Sequence, residues 1–184
     1  DLEELDNAYV SHDPHETKKS YKIKPEEPVV GVVARLVADK GHEYLLRAIP
    51  LVAKDFPGIH VLIVGDGRHR KYLEQLSKEL GIENRVIFTG NVRDVSKPLA
   101  AFDIFSLPAT WREGFGLSVI EAMACRKPVI ASNIWALNSL IQNGVTGILV
   151  EPKQIEPLAE AIKFLLKNPA EKNRSRPNLY HGWC

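Results

Sequence analysis

The feature that most constrains this chain is a repeated alternation. Short, continuously apolar runs rich in β-branched residues are each followed by a segment with helical spacing of apolar positions. The runs are 28–35, 59–65, 85–88, 104–107, 128–131 and 147–150. Between and after them, 41–55, 71–80, 95–101, 117–125, 136–142 and 155–167 read as helices. In the first helix Tyr44, Leu45, Ala48, Leu51 and Val52 form one stripe. Pro57-Gly58, Gly81 and Asn168-Pro169 supply the stops. Strands that are apolar throughout are buried on both faces, so the pattern predicts an α/β fold: a Rossmann-like parallel sheet with helices on both faces. Its crossovers should be right-handed.

With 184 residues the chain is long enough for one domain with a sizeable core. We divide it into a polar, proline-bearing linker or arm at 1–27, the Rossmann-like domain at 28–168, and an irregular tail at 169–184. The formal net charge of +1 gives no field that favours nucleic acid or an anionic membrane. The six histidines form no ligand cluster, so no metal site is expected. Cys125 and Cys184 have no metal-like spacing and suit a reducing compartment. No apolar run is long enough to span a bilayer, and the N-terminus shows no signal-peptide pattern. The expected location is cytoplasmic, with a peripheral contact at the inner membrane face left open for a full-length protein.

Ligands of open parallel sheets bind outside the carboxyl ends of the strands, near the switch point of strand order. Attention therefore falls on 35–41, 65–70, 89–93, 108–116 and 132–135. Arg35 and Lys40 put two cations ahead of a helix N-terminus, where a diphosphate would fit; solvated loop charges are the competing reading. Gly65-Asp66-Gly67 resembles the start of a dinucleotide fingerprint. Arg70 replaces its third glycine, and no acid follows the next strand, so an NAD enzyme is disfavoured. The most informative stretch is Pro108 to Met123. There Glu113-Gly114-Phe115-Gly116 turns directly into a helix that carries Glu121 among apolar residues. A carboxylate on such a helix needs hydrogen-bond partners. Sugar or ribose hydroxyls would serve, as would a neighbouring amide or cation.

Taken in order, these residues resemble a known family. Arg35, Lys40-Gly41, Val64-Gly65-Asp66-Gly67, Phe88-Thr89-Gly90, Pro108, Glu113 to Gly116, Glu121 to Ala124, Pro128 to Ala131, Asn143-Gly144, Gly147 and Leu149-Val150 are similar to the C-terminal domain of glycosyltransferase family 4 enzymes (glycosyl transferases group 1). The resemblance runs from about Val29 to about Leu166, and its core is the E-x7-E pair Glu113 and Glu121. It implies one half of a GT-B fold and transfer of a sugar from a nucleoside-diphosphate sugar to an acceptor hydroxyl, with retention at the anomeric carbon. Arg35 and Lys40 would hold the donor diphosphate and Glu113 the transferred sugar; these three are the expected catalytic residues. Gly114, Phe115, Gly116, Leu117 and Ser118 would surround the phosphates and sugar. Glu121 would bind the ribose, and Gly90, Asn91 and Val92 would face the base. The resemblance implies no cofactor; the donor is a UDP-, GDP- or ADP-sugar. The acceptor, a glycan, lipid or small molecule, would be held by an N-terminal domain that is absent here. The isolated domain is therefore expected to be inactive and capable of self-association.

The chain departs from the family pattern at Ala34, at Cys125-Arg126-Lys127, and at Trp135 to Ser139, where many relatives carry Gly-Gly-x-x-Glu. That last departure keeps a second reading open: a non-catalytic module that binds nucleotide-sugars or sugar phosphates.

Overall fold

The computed structural model describes residues 12–111 and 113–168. Its strands are β1 (Val29–Val33), β2 (His60–Val64), β3 (Val86–Gly90), β4 (Ile104–Leu107), β5 (Val129–Ser132) and β6 (Ile148–Val150). The helices are α1 (Pro14–Ser20), α2 (His42–Ala53), α3 (Arg70–Glu79), α4 (Ser96–Ala101), α5 (Leu117–Ala124), α6 (Trp135–Asn138) and α7 (Ile155–Lys167). Strand order is β3-β2-β1-β4-β5-β6, and every pairing is parallel. This is the doubly wound arrangement, with the switch point between β1 and β4.

The continuous apolar runs pack as their composition demands. All residues of β1, β2, β4 and β5 are buried except Val33 and His60. Val29 pairs with His60 and Val33 with Val64 on one side of β1. Val30 pairs with Ile104 on the other. Helix α2 buries Leu45, Leu46, Ala48, Ile49 and Val52. Tyr44 and Leu51, expected on the stripe, are only partly buried at its flanks. Leu158, Ala159, Ile162 and Leu165 of α7 join the same core, and α7 packs against α2. None of the described helices is long and apolar enough to cross a membrane.

Two local readings differ from the sequence expectation. Within the arm lies helix α1, begun by Asp13, whose Oδ1 accepts from the amides of His15 and Glu16, and by Pro14 at its first turn. It docks beside α4 through Lys18, which is 5% exposed. Lys18 Nζ donates to Asp103 Oδ2 at 2.7 Å and to the carbonyls of Glu27 at 2.9 Å and Pro25 at 3.2 Å. Asp103 Oδ2 also accepts from the amide of Val29, so the arm is tied to the start of the central strand. The helix expected at 136–142 is the single turn α6, Trp135–Asn138. The chain then leaves helical geometry because Gln142 is held by the Thr146 hydroxyl and the Gln142 carbonyl takes the amides of Val145 and Thr146. The tail from 169 onward and Cys184 lie outside the described residues.

Candidate functional site

The site forms where the loops after β1 and β4 meet at the switch point. Gly41 has φ +69°, and a Cβ there would lie 1.8 Å from the Pro108 carbonyl oxygen. A side chain at this position would push the two loops apart. Next to it, the Thr110 amide donates to the Asp39 carbonyl at 2.8 Å. These two close approaches bring Lys40, at the end of the 3-10 turn Ala38–Lys40, up to Glu113 across 73 residues of sequence.

Lys40 Nζ and Glu113 Oε2 are 2.5 Å apart, and both side chains are less than one-fifth exposed. Glu113 Oε1 accepts from its neighbour's amide, Gly114 N, at 3.2 Å. The carboxylate is thus fixed at both oxygens. An opposite charge at this distance, screened little by solvent, is a strong orienting interaction.

Gly116 precedes α5, and no side chain caps the helix. Its first amides and positive dipole end are available to an anion. Gly114, Phe115 and Leu117 are exposed, and Ser118 is partly so. Glu121 lies on the second turn. Burial raises its carboxyl above the usual carboxylate range, and no hydrogen bond or ion pair to it is found among the described residues. Of the two readings left open by the sequence, a protein-supplied partner for Glu121 is therefore not realised among them. Arg35 is exposed in the β1 loop, and no ion pair holds its guanidinium among the described residues.

Gly90 ends β3 and Asn91 and Val92 follow it, three strand spacings from β4, roughly 14 Å at about 4.8 Å each. They do not belong to the Lys40–Glu113 cluster. Any ligand that touches both must lie across the carboxyl ends of β1 and β2.

The Gly65-Asp66-Gly67 turn has a structural role. Gly65, at φ +126°, would bring a Cβ to 2.2 Å from the Ala34 carbonyl oxygen. Leu36 N donates to Asp66 O, and His69 N to Leu36 O, so this loop is stitched to the β1 loop. Asp66 Oδ2 pairs with Arg70 at 3.0 Å, and the Arg70 guanidinium lies 5.8 Å from the Phe88 ring centre.

The sequence pointed to 108–116 and 132–135 without showing that the two loops share one cleft. Thr110, Trp111, Ile134, Trp135 and Ala136 line a cleft of about 990 Å³ together with Glu113 and Gly114. Trp135 was legible as the end of the 132–135 loop and as a departure from a glycine-rich pattern, not as a wall of the cleft. His42 opens α2 and is 2% exposed, with neither ring nitrogen hydrogen-bonded. Burial, then the nearby Lys40 and His69, lower its pKa to about 4. Nothing in the sequence separated it from the other five histidines. Cys125 is buried, and its thiol is pushed up to about 11 by that burial, which makes it a poor nucleophile. Among the described residues no group of three or more His, Cys, Asp or Glu side chains could hold a metal ion.

Comparison with known proteins fits this geometry. Residues 13–181 match the family described as glycosyl transferases group 1. The chain is 33% identical over 159 residues to a GDP-mannose-dependent alpha-(1-6)-phosphatidylinositol monomannoside mannosyltransferase of Mycobacterium tuberculosis. That match covers 82% of this chain and 41% of the relative. Its fold superposes on Anabaena Alr3699/HepE in complex with UDP with a TM-score of 0.86 and 30% identity, over 93% of this chain and 48% of the other. It also superposes on the C-terminal domain of a glycosyl transferase group 1 family protein (LpcC) from Francisella tularensis. There the TM-score is 0.80 at 27% identity, over 91% of this chain and 89% of that domain. The chain thus spans less than half the length of the mycobacterial and Anabaena proteins, and its six-stranded sheet is that of a GT-B C-terminal domain. This chain belongs to the glycosyl transferases group 1 family.

Proposed function

We propose that this chain is the donor-binding domain of a retaining glycosyltransferase that moves a sugar from a nucleoside-diphosphate sugar to an acceptor hydroxyl. The observation that carries the reading is the Lys40–Glu113 pair at the switch point, ahead of the uncapped N-terminus of α5. That arrangement offers one ammonium and a set of amides to an anion, and beside them an oriented carboxylate to hydroxyls.

In this reading the nucleotide lies across the carboxyl ends of β1 and β2. The base sits near Gly90, Asn91 and Val92, and Glu121 takes the ribose hydroxyls through a carboxylate that has no hydrogen-bond or ion-pair partner among the described residues. The diphosphate sits between Lys40, Arg35 and the amides from Gly114 to Ser118. As the sugar–phosphate bond breaks, negative charge grows on the leaving diphosphate. Lys40 and Arg35 oppose that charge where it develops, which is how preorganised cations lower a barrier. Glu113, held by Lys40 and the Gly114 amide, orients the transferred sugar through its hydroxyls. The structural relative solved with UDP supports the choice of ligand class.

The acceptor hydroxyl must be supplied from across the cleft. Without that half, water cannot be excluded or an acceptor positioned, so the chain alone is expected to bind donor without turnover. The test is calorimetry of UDP, GDP and ADP on the chain, with a transfer assay alongside. Binding of one diphosphate without sugar release supports the reading. Turnover by the chain alone would overturn the need for a second half, and no binding by a folded chain would overturn the donor site.

A further inference from the structure

Two indoles wall the cleft that holds Glu113. Trp111, in the loop after β4, is 69% exposed, and Trp135, the first residue of α6, is 86% exposed. Both line the same space as Thr110, Glu113 and Gly114. Neither serves the local fold: α6 is anchored by Ala136 and Leu137, and neither indole makes a ring contact among the described residues. Tryptophan in water forfeits a large apolar area, so two on one cleft point to an occupant.

The chemistry of the walls restricts that occupant. A wholly apolar ligand would cover Glu113 and leave its carboxylate no partners beyond Lys40 and the Gly114 amide, at the cost of its remaining hydration. A small anion would leave the indole faces bare. A pyranose ring satisfies both, with its C–H face on an indole and its hydroxyl edge toward Glu113 and the Thr110 hydroxyl.

We propose that Trp111 and Trp135 form a stacking platform for a sugar ring, and that Trp135 is a specificity-determining residue of the cleft. This rests on the donor-domain reading of the same site. The ring belongs either to the bound nucleotide-sugar or to an acceptor glycoside, and the experiment separates these sources.

The measurement is indole fluorescence and calorimetry in a Trp183→Phe background, so that only Trp111 and Trp135 emit. The ligands are UDP, GDP, UDP-glucose, GDP-mannose and methyl α-D-glucopyranoside, on the background protein and with Trp135→Ala and Trp135→Phe added. If the ring is the donor's, a nucleotide-sugar perturbs emission beyond its parent diphosphate. Trp135→Ala then weakens the nucleotide-sugar about tenfold, leaves the diphosphate unchanged, and is largely rescued by Trp135→Phe. If the ring is the acceptor's, the glycoside quenches emission at millimolar concentration, and Trp135→Ala abolishes the effect. The platform is overturned if a diphosphate binds while no sugar-bearing ligand perturbs emission and Trp135→Ala leaves every affinity unchanged. Failure of UDP, GDP and also ADP to bind the folded protein would refute the donor reading instead, and the glycoside arm alone would then decide the platform.

Discussion

Acidification should expose His42 as a stability switch. The imidazole is 2% exposed at the first turn of α2, neither nitrogen has a partner, and its pKa is lowered from 6.5 to about 4, chiefly by burial. The folded state therefore favours the neutral ring, while the unfolded chain binds a proton readily below 6.5. Stability from this group is complete above pH 6.5 and falls as pH drops toward 4. At about 1.4 kcal/mol per pH unit the full loss is about 3 kcal/mol, of which about 2 kcal/mol has gone by pH 5. With a urea dependence of about 2 kcal/mol/M, the midpoint should fall by about 1 M between pH 8 and pH 5 from this residue alone. His42→Leu removes the titration and strands no hydrogen-bond partner, so its cost at pH 8 should be under about 1 kcal/mol. Urea curves at pH 8, 6 and 5 for both proteins isolate the effect, because every other titrating group is shared. If the stability gap between them does not change with pH, the burial argument is wrong.

Other outcomes follow from the same geometry. Gly41→Ala places a Cβ against the Pro108 carbonyl at positive φ and should cost about 3 kcal/mol in chemical denaturation. Gly114→Ala, where nothing lies within 4 Å, should cost under about 0.5 kcal/mol and serves as its control. Lys18→Met removes a buried ammonium with three acceptors and should lower stability by about 3 kcal/mol, again read by denaturation; a change near zero would show that α1 is not anchored through it.

What could be read from the sequence depended on how local each signal was. The six strands were legible because residues such as 29–33 and 61–64 are apolar at every position, which only a sheet covered on both faces explains. Glu121 was legible as a carboxylate among Val119, Ala122 and Met123. Its raised carboxyl follows from the same burial. Helix α1 was missed although Asp13 and Pro14 form a sound start signal, because its seven residues carry no apolar stripe. The Lys40–Glu113 pair was beyond reach of any local pattern, since it depends on Gly41 admitting the Pro108 carbonyl. Gly65 drew attention through a likeness to a dinucleotide motif that the sequence itself disfavoured; its missing Cβ serves packing against Ala34. Trp135 and His42 became meaningful only once exposure and burial were known.

The central claim is that one cleft binds a nucleoside diphosphate through Lys40 and Glu121. The most direct test is titration calorimetry of UDP, GDP and ADP into the wild type, Lys40→Ala and Glu121→Ala, with folding verified for each. The account predicts that one base is preferred and that each substitution weakens that diphosphate at least about tenfold, a loss of about 1.4 kcal/mol or more. Lys40→Ala should also weaken pyrophosphate, whereas Glu121→Ala should leave pyrophosphate unaffected. Diphosphate affinity unchanged by both substitutions would contradict the account.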